Sequence, residues 1–322
     1  MTRPGVLVTR RIPSSVVARL EASTDVEIYD GPDAMAPGEL KARLPGKRAM
    51  MCLLTDRVGA DVLDAGPDLR IVANIAVGYD NIDLAAARVR GVVVTNTPDV
   101  LTEATADFTW GLILAATRRI PEGERLLRRG EWTGWSLDFM LGSDLRGKQL
   151  GIVGLGRIGR AVASRAGAFG MRVAYATLDA DGSGPDAAGD VWTRQDLDEL
   201  LSSSDVVSLH VPLTPVTRHL IDRRAILRMK RRAVVVNTSR GPVIDEAALA
   251  WALREGLIAG AALDVYEHEP RVHADLLGIE NVVLAPHLGS ATVETRTAMA
   301  DLAARNVLAV LAGGAPLTPV AL

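Results

Sequence analysis

The chain has 322 residues, of which 48% are hydrophobic and 23% charged, a composition typical of globular proteins and a length sufficient for two domains. The formal net charge of -3 leaves no strongly basic surface, so binding to nucleic acid or to an anionic membrane is not expected. The single cysteine, Cys52, excludes an intrachain disulfide and fits a reducing compartment. No apolar run approaches the ~18 residues of a membrane span and no secretory signal is evident, so we expect a cytoplasmic protein.

Short apolar runs rich in Val, Ile and Leu alternate with helix-like segments in the first 98 residues. The apolar runs cover residues 6–9, 26–29, 49–54, 69–75 and 92–95, and the helix-like segments cover residues 14–22, 38–43, 61–65 and 84–90. Strands that alternate with helices are typical of a parallel sheet with helices on both faces. The sequence therefore predicts one α/β unit in this region.

A long helical pattern follows over residues 103–119, and Pro121 lies just beyond its predicted end. Residues 120–148 differ from the rest of the chain, because Trp132, Trp135 and Phe139 stand among glycines and charged residues. We interpret this stretch as an irregular excursion. Its aromatic side chains need a surface to pack against, which is either a second subunit, as in a homodimer, or their own domain.

The sequence LGIVGLGRIG at residues 150–159 predicts a strand, a tight turn and the start of a helix. Gly154, Gly156 and Gly159 have the G-x-G-x-x-G spacing of dinucleotide-binding turns. The first glycine permits the sharp turn, the second lets the backbone approach a pyrophosphate, and the third lets the helix pack against the strand. Such turns also occur without a ligand, but a second apolar strand at residues 171–175 follows at the spacing of a βαβ unit. A dinucleotide pyrophosphate would bind at this helix N-terminus.

Further strands are predicted near residues 205, 233, 259 and 281, and a last long helix over residues 292–312 would return the chain to the first unit. The predicted fold class is α/β, with two Rossmann-like, doubly wound parallel-sheet domains. We expect residues 1–98 and 291–322 to form a flavodoxin-like substrate domain. We expect residues 99–290 to form an inserted NAD(P)-binding domain that carries the dimerisation excursion at 120–148.

Three polar residues follow predicted strands of the inserted domain, namely Arg240, Glu269 and His287. Each alone has an ordinary explanation, as a surface ion-pair partner, a loop residue or a structural histidine. Together, in a chain with a dinucleotide motif, they match the requirements for reducing a 2-keto acid. A guanidinium binds the substrate carboxylate and polarises the carbonyl, a histidine donates the proton, and a carboxylate orients the histidine and stabilises its charged form.

Six segments together resemble the signatures of the D-isomer-specific 2-hydroxyacid dehydrogenase family along nearly the whole chain. They are AVGYDNID at 76–83, GLGRIG at 154–159, SLHVPLTPVT at 208–217, NTSRG at 237–241, LDVYEHEP at 263–270 and PHLGSAT at 286–292. The stretch NTPDVLTEATADFTWGLIL from Asn96 and the WTGW at 132–135 are most similar to the glyoxylate and hydroxypyruvate reductase branch.

The resemblance implies that His287 donates the proton in reduction and accepts it in oxidation, and that Glu269 orients it. Arg240 and the backbone N–H groups of Val77 and Gly78 would bind the substrate. Ser290 would lie near the substrate, and Trp135 would reach the active site of the partner in a homodimer. The residues expected to contact the cofactor are Gly154, Gly156, Arg157, Ile158, Gly159, Thr177, Pro212, Thr217, Thr238, Asp264 (on the nicotinamide carboxamide side) and His287.

The choice between NAD and NADP depends on the end of the second strand of the inserted domain, where Thr177 stands. An acid at this position binds the NAD ribose, and a basic residue accommodates the 2'-phosphate of NADP. Thr177 is neither; Asp179 and Asp181 would repel a phosphate, whereas Arg194 from a later segment would attract one. We expect NAD or NADP as cofactor, with a slight preference for NAD. No metal is expected, because the acidic clusters lack His or Cys companions.

The sequence thus predicts an enzyme that reversibly reduces a small 2-keto acid, glyoxylate or hydroxypyruvate, to its D-2-hydroxy acid with NAD(P)H. One alternative is another D-2-hydroxyacid dehydrogenase, such as D-3-phosphoglycerate dehydrogenase. An alternative of a different class is a nicotinamide-sensing, corepressor-like binding protein, since a fold does not determine function. Turnover of a 2-keto acid distinguishes an enzyme from a sensor.

Overall fold

The computed structural model describes residues 3–31, 33–177 and 192–321. The strands, numbered along the chain, are β1 (Gly5–Val8), β2 (Asp25–Ile28), β3 (Lys47–Cys52), β4 (Ile71–Asn74), β5 (Val93–Thr95), β6 (Gln149–Val153), β7 (Arg172–Ala176), β8 (Thr193–Arg194), β9 (Val206–Leu209), β10 (Val234–Asn237), β11 (Gly260–Leu263) and β12 (Val282–Leu284). The α-helices are α1 (Ser14–Glu21), α2 (Pro37–Arg43), α3 (Ala60–Ala65), α4 (Leu84–Val89), α5 (Thr102–Thr117), α6 (Ile120–Arg128), α7 (Arg157–Arg165), α8 (Leu197–Ser203), α9 (Arg223–Arg228), α10 (Glu246–Arg254), α11 (Ala274–Leu277) and α12 (Val293–Leu311).

The chain divides into two compact units. Unit 1 comprises Met1–Leu101 and Thr292–Leu322, and unit 2 comprises Thr102–Ala291. Each unit contains a parallel sheet, so the predicted fold class is confirmed. No helix among the described residues is both long enough and apolar enough to cross a bilayer.

The sheet of unit 1 has the strand order β2-β1-β3-β4-β5, which is the flavodoxin-like arrangement. Its central strands are buried because helices cover both faces, and β4 is buried along its whole length. Short apolar strands of this kind are typical of parallel sheets in α/β proteins. The carboxyl ends of the strands bring Thr9, Leu53, Ile75 and Asn96 to one edge of the sheet.

The sheet of unit 2 has the order β12-β11-β10-β9-β6-β7-β8. Counted within the unit, its first six strands follow the doubly wound order 3-2-1-4-5-6, with one further strand added at β12. The order reverses between β6 and β9, which are neighbours with parallel register. In such sheets the crevice at this reversal is the usual ligand site.

Several helices begin where the side chain of an aspartate or threonine accepts a hydrogen bond from a backbone N–H in the first turn. This capping satisfies one of the donors that a helix leaves without a partner at its start, and it explains why these helices begin where they do. The capping residues are Asp83, Asp196, Asp222, Asp245 and Thr292.

The interpretation of residues 120–148 as wholly irregular is wrong at its start, because α6 occupies Ile120–Arg128. Pro121 was interpreted as following a helix end, but proline is also favourable in the first turn of a new helix, which is where it lies in α6. Arg119 separates α5 from α6 with a left-handed φ of 55°. The two-residue strand β8 was also not predicted, since two residues carry no periodic signal.

Candidate active site

The predicted dinucleotide turn joins β6 to α7. Gly154 has a φ of 93°, and a Cβ there would lie 2.7 Å from the carbonyl oxygen of His210. A Cβ on Gly159 would overlap the carbonyl oxygen of Gly154, whereas nothing lies within 4 Å of the Cβ position of Gly156. The turn is therefore tight where the helix meets the strand and open where a pyrophosphate would approach. The nine-residue helix α7 begins at Arg157, directly after Gly156, and the N–H groups of a helix's first turn are available to a pyrophosphate there.

The segment after β9 forms the other side of the strand-order reversal. It contains Pro212 and Thr217, both expected at the cofactor. The Thr217 hydroxyl donates to the carbonyl oxygen of Pro212 at 2.7 Å and accepts from the N–H of Thr214 at 2.7 Å. Thr217 is 4% exposed, and its buried hydroxyl stabilises this segment through these two hydrogen bonds. The hydroxyl of Thr238, which follows β10, lies 3.0 Å from the hydroxyl of Thr109 on α5.

His210 directly follows β9 and is a poor candidate for acid–base chemistry. Burial lowers its pKa to about 3, which leaves the imidazole neutral near pH 7. Its Nε2 lies 2.8 Å from the hydroxyl of Ser208, which is on β9. This agrees with a structural role for His210.

The end of β7 brings together two of the residues that bear on cofactor choice. A guanidinium nitrogen of Arg194 lies 3.2 Å from the hydroxyl of Thr177. Arg194 is on β8, which pairs in parallel with β7 and places Arg194 opposite Tyr175. A cation thus stands beside the position that discriminates the two dinucleotides. Asp179 and Asp181 lie outside the described residues.

Glu269 and His287 form a hydrogen-bonded pair. Glu269 Oε2 lies 2.9 Å from His287 Nδ1, and Glu269 Oε1 accepts from the N–H of Tyr266 at 3.2 Å. Because a carboxylate only accepts, Nδ1 carries the hydrogen and Nε2 is left to act on a substrate. The imidazole is 28% exposed, and among the hydrogen bonds of the described residues none uses Nε2. This is the arrangement of an oriented acid–base histidine.

Asp264, at the end of β11, fixes the backbone of the histidine turn. His287 has a left-handed φ of 55°, which is uncommon for a residue with a side chain. The carbonyl oxygen of Asp264 accepts from the N–H of His287, and its carboxylate accepts from the N–H groups of Leu288 and Gly289 at 2.6 and 2.8 Å. Burial raises the pKa of the Asp264 carboxyl, and the two N–H groups oppose that effect. Asp264 is expected at the nicotinamide, and its contact with the histidine turn was not predicted.

Arg240 follows β10, the neighbour of β11. Its carbonyl oxygen accepts from the side-chain amide of Asn237 at 2.9 Å, which fixes the turn. The next residue is Gly241, where a Cβ would overlap the backbone of Tyr266. The arginine turn therefore packs directly on the segment that carries Glu269. Arg240, Glu269 and His287 follow three adjacent strands at the same edge of one sheet.

The remaining predicted substrate residues are not hydrogen-bonded to this group in the described part of the chain, or they belong to the other unit. Ser290 follows the histidine turn but makes no hydrogen bond to Arg240, Glu269 or His287 within the described part of the chain. Trp135 is 80% exposed in unit 2. Val77 and Gly78 follow β4 in unit 1.

A Rossmann sheet with an open glycine turn at its strand reversal, and with an oriented histidine at the same edge, is typical of nicotinamide-dependent dehydrogenases. Residues 110–289 match the model of the "D-isomer specific 2-hydroxyacid dehydrogenase, NAD binding domain". The chain belongs to this family of oxidoreductases that act on CH–OH groups, and its cofactor is NAD or NADP.

Curated relatives and solved structures agree with this assignment. The chain is 47% identical to a glyoxylate reductase of Thermofilum pendens, with 98% of this chain and 94% of the relative covered. A Thermus thermophilus protein structure is 45% identical, with a TM-score of 0.92 and 98% and 100% of the two chains covered. The NADPH-dependent glyoxylate/hydroxypyruvate reductase of Sinorhizobium meliloti, solved with citrate, is 39% identical, with a TM-score of 0.86 and 99% and 98% covered.

Proposed function

We propose that this protein reduces the small 2-keto acids glyoxylate and hydroxypyruvate to their D-2-hydroxy acids with NADH or NADPH, reversibly and in the cytoplasm. The observation that carries the proposal is the Glu269–His287 pair, with 2.9 Å between Oε2 and Nδ1, on the strand edge that also carries Arg240. The names of the curated relatives, among them glyoxylate reductases of Thermofilum pendens and Korarchaeum cryptofilum, support the substrate class.

The bound nicotinamide would supply the hydride that reduces the keto carbon. Arg240 would hold the substrate carboxylate with its planar guanidinium and polarise the carbonyl. The Nε2 of His287 would donate its proton to the carbonyl oxygen, while Glu269 keeps the ring oriented. In the oxidative direction Nε2 would take the proton back. Val77 and Gly78 of unit 1 would bind the substrate carboxylate through their backbone N–H groups, and Ser290 would line the substrate.

The proposal is tested by following the nicotinamide absorbance with NADH and with NADPH against glyoxylate, hydroxypyruvate, pyruvate, 3-phosphohydroxypyruvate and a bulky 2-keto acid. We expect faster turnover of the first two acids than of the others. Faster turnover of the phosphorylated acid would favour a phosphoglycerate dehydrogenase. Tight binding of NADH without turnover of any acid would contradict an enzyme and favour a sensor.

We also propose that the protein is a homodimer assembled through residues 120–148. This region exposes large apolar side chains, among them Trp132 at 54%, Trp135 at 80% and Leu137 at 82%. Exposed apolar patches of this kind mark interaction surfaces. A second copy of the chain would cover them, as the family resemblance implies.

Replacing Trp135 by Ala tests whether this aromatic reaches the partner's substrate. We expect the ratio of kcat/KM for hydroxypyruvate to that for glyoxylate to change about threefold or more, because an aromatic contact to the larger acid is lost. Leu227→Ala, on α9 and outside residues 120–148, removes an apolar side chain that is 60% exposed and is the control; sedimentation measures the dimer for both variants. An unchanged ratio in a dimeric Trp135→Ala protein would remove Trp135 from the site.

Replacing Arg194 by Gln tests the cofactor site at the end of β7. We expect the Kd of NADPH to rise about tenfold and that of NADH to stay within about twofold, because only NADPH carries the phosphate that a guanidinium binds. The control is Arg172→Gln, at the start of β7, which should change neither the Kd of NADPH nor that of NADH. Equal weakening of both dinucleotides would show that Arg194 does not read the phosphate.

A further inference from the structure

In the turn after β4 in unit 1, three consecutive carbonyl oxygens each accept a hydrogen bond. The Ala76 oxygen accepts from the N–H of Thr97 at 2.9 Å. The Val77 oxygen accepts from the side-chain amide of Asn96 at 2.8 Å, and the Gly78 oxygen accepts from that of Asn74 at 2.9 Å. Within the described residues, no hydrogen bond uses the N–H of Val77 or of Gly78. Anchored carbonyls with adjacent unused N–H groups form a backbone site for an anion.

Asn96 is itself held by a residue far away in the sequence. The hydroxyl of Thr318 donates to the Asn96 carbonyl oxygen at 2.6 Å, and the Asn96 N–H donates to the Thr318 carbonyl oxygen at 3.3 Å. Both backbone groups of Asn96 are thus paired with Thr318. These two hydrogen bonds fix the backbone from which the Asn96 side chain donates to the Val77 carbonyl oxygen.

Thr318 is in turn fixed by Asn306, a fully buried residue on α12. Asn306 Oδ1 accepts from the N–H groups of Leu317 and Thr318 at 2.8 and 3.0 Å, and Nδ2 donates to the Thr318 hydroxyl and to the Leu302 carbonyl oxygen, both at 2.9 Å. This uses the whole hydrogen-bonding capacity of the amide. A buried network that is fully paired is rigid.

The segment around Thr318 also lies along β5, the edge strand of the unit 1 sheet. The Val320 N–H donates to the Val94 carbonyl oxygen at 2.9 Å, and Pro319 forms an antiparallel bridge with Thr95. Val320 is 8% exposed and packs in the core. Residues 317–320, which we term the edge segment, therefore cover this strand and connect α12 to the turn after β4.

We propose that Asn306 and Thr318 are positioning residues for the substrate carboxylate, acting through Asn96 on the Val77–Gly78 turn. The inference rests on the proposed function, in which these two N–H groups bind that carboxylate. It assigns the edge segment a role in substrate affinity that is exerted through Asn96.

The test compares Thr318→Val, which has nearly the same shape without the hydroxyl, with Thr318→Ser, which keeps the hydroxyl. For Thr318→Val we expect KM for glyoxylate to rise about tenfold with kcat within about twofold of the parent, because binding of the carboxylate is weakened and the proton donor is untouched. Thr318→Ser should match the parent. The Kd of NADH, measured by fluorescence, should be unchanged in both, since the dinucleotide turn belongs to unit 2.

Asn96→Ala provides an independent variant, because it removes the donor to Val77 and keeps the backbone bonds to Thr318. It should raise KM for glyoxylate and the Kd of oxalate, an unreactive carboxylate probe, by about tenfold or more. The double variant with Thr318→Val should be little worse than Asn96→Ala alone, since both act through one contact.

The outcomes separate the inference from the proposed function. A parent protein that binds NADH but turns over no 2-keto acid contradicts the proposed function. An active parent whose KM for glyoxylate is unchanged in Thr318→Val and Asn96→Ala overturns the inference alone, as does a loss confined to kcat. If Thr318→Val does not fold, Asn96→Ala and the oxalate titration decide.

Discussion

Replacing His287 by Ala is expected to lower kcat for glyoxylate reduction by about 10²- to 10⁴-fold, the usual contribution of a positioned general acid. The expectation follows from the 2.9 Å contact between His287 Nδ1 and Glu269, which leaves Nε2 to carry the transferred proton. The Kd of NADH should stay within about threefold of the parent value, because the variant keeps the glycine turn and the first turn of α7 intact. Stopped-flow turnover and fluorescence titration measure the two quantities on the same preparation.

The control for this variant is His268→Ala, in the same segment as Glu269. His268 is exposed, and its side chain makes no hydrogen bond within the described residues. Its removal should leave both kcat and the Kd of NADH near the parent values. Retention of more than half of the activity by His287→Ala would exclude it as the proton donor, and a large loss of NADH binding would indicate a structural role instead.

The fold was largely predictable because its local signals agree with one another. Val- and Ile-rich runs, short helices with aspartate caps, and the glycine turn all favour a parallel α/β sheet. Strand propensity, helix capping and turn chemistry therefore agree on one fold. The exceptions have local causes. Pro121 is compatible both with the end of one helix and with the start of another, and only the left-handed Arg119 decides between them.

The placement of the candidate residues was predictable where a residue directly follows a strand. Arg240, Glu269 and His287 follow adjacent strands, so the topology alone brings them to one edge. The supporting contacts were not predictable in this way. Asp264 has a sequence signal as the residue after β11, but its bonds to Leu288 and Gly289 depend on the left-handed turn at His287.

The contacts of Asn96 with Thr318 were beyond sequence reasoning for a different reason. The two residues are separated by 222 positions, and nothing in their local sequence distinguishes them from ordinary turn residues. Their pairing is a consequence of α12 returning the chain to the first sheet. Long-range polar pairs of this kind become visible only when the tertiary structure is known.

Replacing Arg240 by Gln is expected to lower kcat/KM for glyoxylate by about 10³-fold, with KM raised and kcat reduced together. The guanidinium is proposed to bind the carboxylate in the ground state and to polarise the carbonyl as it accepts charge, so its loss affects both parameters. Arg240→Lys should recover only part of the loss, because an ammonium group cannot form the two parallel hydrogen bonds of a guanidinium. Arg231→Gln, just before the opposite end of β10, is the matched control and should leave both parameters unchanged. A rise in KM alone would confine Arg240 to substrate binding, and parent-like kinetics would place the substrate carboxylate elsewhere.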